Sequence, residues 1–210
     1  MKNKNIFFVA FITLTCITSL VNAQISESVS PFKTTEACNR EGVYLSANDF
    51  TNGKVSFTHN KKNKKYKFYL NEIIHTSSIK IISGDTVIVL KKDLIFGYCD
   101  KKNTCYRFYN KVAYKIINPS EKILLYSRSS LVGGIKNNRT VTNYFFSVTA
   151  NSSIYPLTKW NLKTVLCKDV LFHELLDIYF QSDNELTAYD STNKITILNR
   201  IYETSKNKFK

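Results

Sequence analysis

Between Val43 and Leu157 the apolar residues come in short β-branched and aromatic runs, each broken by polar or turn-forming residues. Runs of that length and composition predict strands. They fall at residues 55–58, 66–70, 79–82, 86–90, 93–99, 105–109, 113–117, 123–127, 144–149 and 154–155. Ser83-Gly84-Asp85, the stretch from Asp100 to Thr104, and Asn118-Pro119-Ser120-Glu121 read as hairpin turns, because Gly, Pro, Asn and Asp each favour a turn conformation. Successive hairpins predict a meander-like antiparallel sheet that curls into a barrel or a sandwich.

After Pro156 the period lengthens. Thr158 is placed to cap a helix from Lys159 to Cys167, with Trp160, Leu162 and Leu166 in its apolar content. Asp169 caps the next helix. There Phe172, Leu175, Leu176, Tyr179 and Phe180 recur at i, i+3, i+4, i+7 and i+8, with His173, Glu174, Asp177 and Gln181 opposite, which predicts one buried face. Ser182-Asp183-Asn184-Glu185 fits a capping box for a short third helix. Ile195, Leu198 and Ile201 or Tyr202 suggest a fourth. The expected fold class is therefore α+β: an antiparallel β-barrel or sandwich followed by a C-terminal cluster of three to four short helices. The β region spans 43–157 and the helices span 158–204, packed on the sheet because each half alone is thin in apolar faces. A basic tail covers 205–210.

The first residues carry a different pattern. Lys2 and Lys4 precede an apolar stretch from Ile6 to Val21, and Val21-Asn22-Ala23 then offers small residues where a signal peptidase reads. Residues 1–23 are expected to be a secretory leader cleaved after Ala23, followed by a polar lead-in over 24–42. Lipid attachment at Cys16 is disfavoured, because Thr15 precedes it and apolar residues follow it. No later run is long enough to cross a membrane as a helix. The expected location is secreted or periplasmic.

The chain has 210 residues with 30 Lys and Arg against 16 Asp and Glu. Removing the leader takes away two lysines and no acid, which leaves +12. That charge admits a polyanionic partner such as an acidic glycan or lipopolysaccharide. A lysine-, asparagine- and isoleucine-rich composition also produces it without selection for binding. The six glycines form neither G-x-G-x-x-G nor a P-loop, and no two are spaced for a G-x-S-x-G elbow. His59, His75 and His173 are too dispersed for H-E-x-x-H, and no C-x-x-C is present. No cofactor, no metal ligand set and no specific nucleic-acid motif is expected.

The four cysteines after the leader allow three pairings. Cys99 and Cys105 flank a five-residue turn and are the favoured disulfide, with Cys38 and Cys167 paired or free. In that register Tyr98 meets Tyr106 and Phe96 meets Phe108 on one face, expected to be the core face. Gly97 meets Arg107 on the other. Lys61, Lys62, Lys64, Lys65 and Lys67 crowd one loop and the start of a strand. Alternation puts Lys65, Lys67 and Tyr69 on one face and Tyr66, Phe68 and Leu70 on the other. A ring beside lysines can stack a sugar or a base and hold an anion, although lysines also protect an edge strand from aggregation. The segment from Arg128 to Thr142 is the longest non-periodic stretch of the β region and carries Arg128, Lys136 and Arg139. It is expected to be a long hairpin loop. The candidate ligand-binding residues are thus Lys62, Lys65, Lys67, Tyr69, Arg128, Lys136 and Arg139.

Residues 93–117 (DLIFGYCDKKNTCYRFYNKVAYKII), 123–126 (ILLY), 157–166 (LTKWNLKTVL), 172–180 (FHELLDIYF) and 198–203 (LNRIYE) resemble a family of secreted and envelope proteins of Bacteroidota with no known activity. The resemblance implies an exported or envelope location and supplies no functional residues. The expected function is a binding or structural protein of the bacterial envelope without catalysis, contacting an anionic polymer or an envelope protein. The alternatives are a small hydrolase built on dispersed residues such as His173, Asp177 or Cys167, and an accessory subunit of a membrane complex.

Overall fold

A computed structural model describes residues 41–58, 66–68, 76–133 and 139–207 of the chain. The expected leader, Cys16, Cys38 and the candidates Lys62, Lys65, Tyr69 and Lys136 lie outside the described residues. The chain runs through β1 (Gly42–Tyr44), helix α1 (Ala47–Thr51), β2 (Tyr66–Phe68), β3 (Ser78–Ser83), β4 (Thr86–Lys91), β5 (Gly97–Cys99), β6 (Cys105–Tyr109) and β7 (Val112–Ile116). It continues through β8 (Leu124–Val132), β9 (Arg139–Ser147), β10 (Tyr155–Pro156), α2 (Lys159–Val165), α3 (Val170–Tyr179), β11 (Tyr189–Asp190), β12 (Ile195–Thr196) and α4 (Ile197–Asn207). The fold is α+β and sandwich-like. A seven-stranded antiparallel sheet has the order β1-β5-β6-β7-β8-β9-β10, and a three-stranded sheet has the order β2-β3-β4. The described strands do not close into a barrel.

The register fixes what each face of the large sheet carries. Tyr106 pairs with Lys115, Lys115 with Ser127, and Ser127 with Tyr144. Directly opposed residues share a face, and so do residues two apart. This face therefore also carries Phe108 and Ala113 at one end, where the small sheet packs through Tyr66, Ile79 and Ile81. At the other end it carries Leu125 and Phe146, which pack against Leu162, Phe172, Leu176 and Leu198 of the helices. The opposite face carries Tyr114, Ile116, Leu124, Tyr126 and Phe145 and is covered by Ala47 and Phe50 of α1.

The Cys99–Cys105 disulfide is present, and the neighbouring pairs are Tyr98 with Tyr106 and Gly97 with Arg107, as expected. The closed loop is short, so the chain-entropy contribution is about 2 kcal/mol. Asp100 shapes the turn: its Oδ1 accepts the backbone N–H groups of Lys102 and Thr104, each at 2.8 Å.

Four features differ from the sequence reading. Residues 93–99 do not form one strand, because Lys92–Leu94 is a single 3₁₀ turn and β5 begins only at Gly97. Alternation also breaks there: Phe96 joins the cluster under α1, whereas Tyr98 joins the cluster under the small sheet. Both faces of this hairpin are thus core faces. A Cβ on Gly97 would stand 2.0 Å from the Tyr106 carbonyl oxygen, so this close backbone approach requires glycine. Third, the stretch expected to be a long loop is mostly strand: β8 and β9 pair without interruption from Leu124–Ser147 out to Val132–Arg139. Fourth, β1, α1 and β11 form where no element was expected, and Ile195, expected in the fourth helix, lies in β12 instead, with the helix starting at Ile197. Ser46 starts α1 with a capping box, its Oγ accepting from Asp49 N while Asp49 Oδ2 accepts from Ser46 N.

The helices are held to the sheet by a buried polar seam. Asn199, fully buried, accepts from Ile123 N at 2.8 Å and donates to Ile123 O at 2.9 Å. Asn118 donates to the same carbonyl oxygen at 2.9 Å and accepts from Leu125 N at 2.6 Å. Glu121 joins the two sides: it accepts from Asn118 Nδ2, from Thr196 N and from the Thr196 hydroxyl. At the other end of the helical cluster Asp169 caps α3 through Phe172 N and binds Ser205 Oγ and Lys206 Nζ of α4. Burial opposes ionisation of Asp169, but those bonds outweigh it and hold the carboxyl below the usual range.

Candidate functional site

Between the small sheet and the helices, the described residues leave one strip of the large sheet uncovered. Its floor is the row Tyr106, Lys115, Ser127, Tyr144, one residue from each of β6, β7, β8 and β9. Strands in a sheet lie about 4.8 Å apart, so the row is about 14 Å long. Two clefts meet on it. The first, about 620 Å³, is lined by Tyr106, Lys111, Lys115 and Arg128 together with the hydroxyls of Thr76, Ser77, Ser127 and Ser129. The second, about 670 Å³, shares Lys115, Ser127 and Ser129 and extends past Thr142 and Tyr144 to Asn103 and Thr104 of the disulfide turn. The strip has one tyrosine at each end and a lysine near its middle.

Local sequence explains why the cations stand there. Lys115 alternates with the core residues Tyr114 and Ile116 on β7, so it falls on the uncovered strip. Asn110 and Lys111 form the two-residue turn between β6 and β7, with φ of 49° and 66°. Both central positions of such a turn need positive φ, which suits Asn-Gly best. A lysine in the second position costs about 1 kcal/mol or more in backbone conformation. It holds an ammonium at the edge of the first cleft. No aspartate or glutamate is among the described lining residues of either cleft. Burial, and after it the carboxylate of Asp100, push the Tyr106 phenol up.

The hydroxyl lining is partly ordered in advance. Ser129 Oγ and Thr142 Oγ1 are hydrogen-bonded to each other at 2.9 Å across β8 and β9. Ser and Thr hydroxyls both donate and accept, so this floor can meet a partner of either polarity.

The residues singled out from sequence are not all gathered. Arg128 lines the first cleft. Arg139 lies opposite Val132, four register positions further along the ribbon, and lines neither cleft. Lys67 is exposed on β2 between buried Tyr66 and half-buried Phe68, as alternation predicts, and also lines neither cleft. Lys111, Lys115, Tyr106 and Tyr144 were not singled out. Their common signal is a pairing register, which a single strand's pattern does not contain.

Of the dispersed residues considered for hydrolysis, His173 and Asp177 have partners of their own. His173 Nε2 is 3.0 Å from the Leu166 carbonyl oxygen. Asp177, one helical turn on, is held by Lys159 and Lys163, and those two ammonium groups draw its carboxyl below the usual range. Cys167 is a free thiol on the surface. Arg107, buried on the opposite face of the sheet, donates to Tyr126 Oη and Ser147 Oγ at 3.0 Å each and to Ser152 O at 2.7 Å. Its guanidinium also faces the rings of Phe96, Tyr109 and Tyr126. Arg107 therefore ties the loop after β9 to the sheet. Among the described residues, no three His, Cys, Asp or Glu side chains converge as a metal site would need, and no helix is long and apolar enough to cross a membrane. Comparison with protein-family models, with curated proteins and with solved structures finds no match to the chain.

Proposed function

We propose that this is an exported binding protein of the bacterial envelope whose uncovered sheet strip holds an anionic polymer. One observation carries the reading: Lys111 and Lys115 line a cleft that Arg128 of β8 also borders, and its described lining has no carboxylate. Cations whose described neighbours in the cleft are uncharged leave their charge for a partner from outside. The strained turn at Lys111 supports it, since a residue kept in an unfavourable backbone region at a cleft points to a role other than folding. The disulfide is compatible with an oxidising, exported environment.

Salt-titrated binding to lipopolysaccharide, an acidic glycan and DNA tests the proposal. At least one should bind with an affinity that falls linearly on logarithmic axes as salt rises. A variant combining Lys111→Gly, Lys115→Ala and Arg128→Ala should bind at least tenfold more weakly, with a shallower salt slope. Lys111→Gly alone should weaken binding and raise stability by up to about 1 kcal/mol, because glycine adopts that turn without strain. Absence of salt-sensitive affinity for all three polymers would sink the proposal.

A further inference from the structure

The order of side chains along the strip says more about the partner than its charge does. We propose that the strip accepts a single acidic glycan chain lying across the strands, with sugar rings on Tyr106 and Tyr144 and an acid group at Lys115. This rests on the reading of the strip as an anion-binding groove and names its occupant.

Three features favour a glycan. The first is charge density. A nucleic-acid strand at the duplex rise places a phosphate about every 3.4 Å, so it would set about four charges along a row of about 14 Å, and an extended strand still sets more than one. Within that row Lys115 is the only cation, and Lys111 and Arg128 stand at the edge of one cleft. A chain with sparse acid groups matches this spacing. The second is the hydroxyl floor. Ser127, Ser129 and Thr142 belong to the second cleft and Thr76 and Ser77 to the first. Groups that both donate and accept complement sugar hydroxyls, which do the same. The third is the pair of rings. Tyr144 is 43% exposed and Tyr106 is half-buried, so each keeps surface available at its own end. The C–H face of a pyranose can lie on such a ring by dispersion and apolar burial.

The experiment uses the exported chain and four probes: a hyaluronan oligosaccharide, in which acidic and neutral sugars alternate, its carboxyl-reduced neutral counterpart, inorganic polyphosphate and a single-stranded thymidine oligonucleotide. The hyaluronan oligosaccharide should bind at least tenfold more tightly than its neutral counterpart. Tyr144→Ala should weaken that binding about tenfold and leave polyphosphate affinity unchanged, whereas Lys115→Ala should weaken both. Because Tyr106 is half-buried, its part is read in the unmodified protein, by whether its ring resonances and those of Tyr144 shift with the hyaluronan oligosaccharide and not with polyphosphate. Glycan affinity indifferent to Tyr144→Ala, with both rings silent, would overturn the assignment while leaving a charge-driven groove in place. Tyrosine-dependent binding tighter for the oligonucleotide than for the glycan would also overturn it, in favour of a single-stranded nucleic acid. Failure to bind any charged probe would count against the groove itself.

Discussion

Asn199→Ala is expected to destabilise the protein by about 3 kcal/mol, read as a drop in the denaturant midpoint at unchanged slope. Asn199 is fully buried and reads the backbone of Ile123 with both ends of its amide, 2.8 Å to the N–H and 2.9 Å to the carbonyl oxygen. Alanine leaves the Ile123 N–H buried without its acceptor. The carbonyl oxygen fares better, since Asn118 still donates to it. The Thr196 hydroxyl also loses the amide, and a small void remains. Asn199→Asp separates the two halves of this account. It keeps an acceptor for Ile123 N but loses the donor and sets a second carboxylate into the seam that Glu121 already occupies. It should cost at least as much as alanine at pH 7 and recover part of the loss under acid conditions that protonate the new carboxyl. A variant within about 0.5 kcal/mol of wild type would show that the seam is not what fastens α4 to the sheet.

Lys92→Met should move stability the other way, by about 2 kcal/mol at pH 7. Lys92 is fully buried at the 3₁₀ turn, and its Nζ has no hydrogen-bond partner among the described residues. The Phe108 ring, with its centroid 5.2 Å from Nζ, offsets part of the cost. Burial pushes the amine's pKa below its ordinary 10.5. The unfolded chain therefore holds this proton more tightly than the folded protein does. Stability lost to Lys92 is recovered as pH rises from the depressed value to 10.5. Buried Tyr98 and Tyr126 and half-buried Tyr106, whose phenols are pushed up, act in the opposite sense above pH 10. Chemical unfolding of wild type and variant side by side cancels the tyrosines. The advantage of the variant should be largest near neutrality and shrink towards pH 10.5. A constant advantage, or a variant less stable at pH 7, would mean that the buried amine carries no such cost.

What could be read from sequence follows from how each segment meets water. The hairpin of β5 and β6 was legible because two cysteines and two tyrosines fix one register, and Phe172 and Leu176 were legible because one face of α3 is buried. The ribbon beyond Ser127 was not, since Ser129, Ser130, Leu131 and Val132 are exposed whichever way they point. Alternation of polarity arises only when one side is dry. Pairing with residues 139–143 holds that stretch as strand, and pairing leaves no mark on composition. The strip suffers from the same blindness: Lys115 and Tyr144 are neighbours only through Ser127. Lys92 misleads in the other direction, because a lysine after a strand is ordinarily a solvated residue.

The link between Cys99 and Cys105 reaches past the hairpin it closes. Asn103 and Thr104, inside the covalent ring, form one wall of the second cleft. Protein made in a reducing cytosol would lack that link, and Asp100 and the flanking ladder would then tether the wall without it. Material prepared in that way could pass every test of folding and still underreport what the strip can hold.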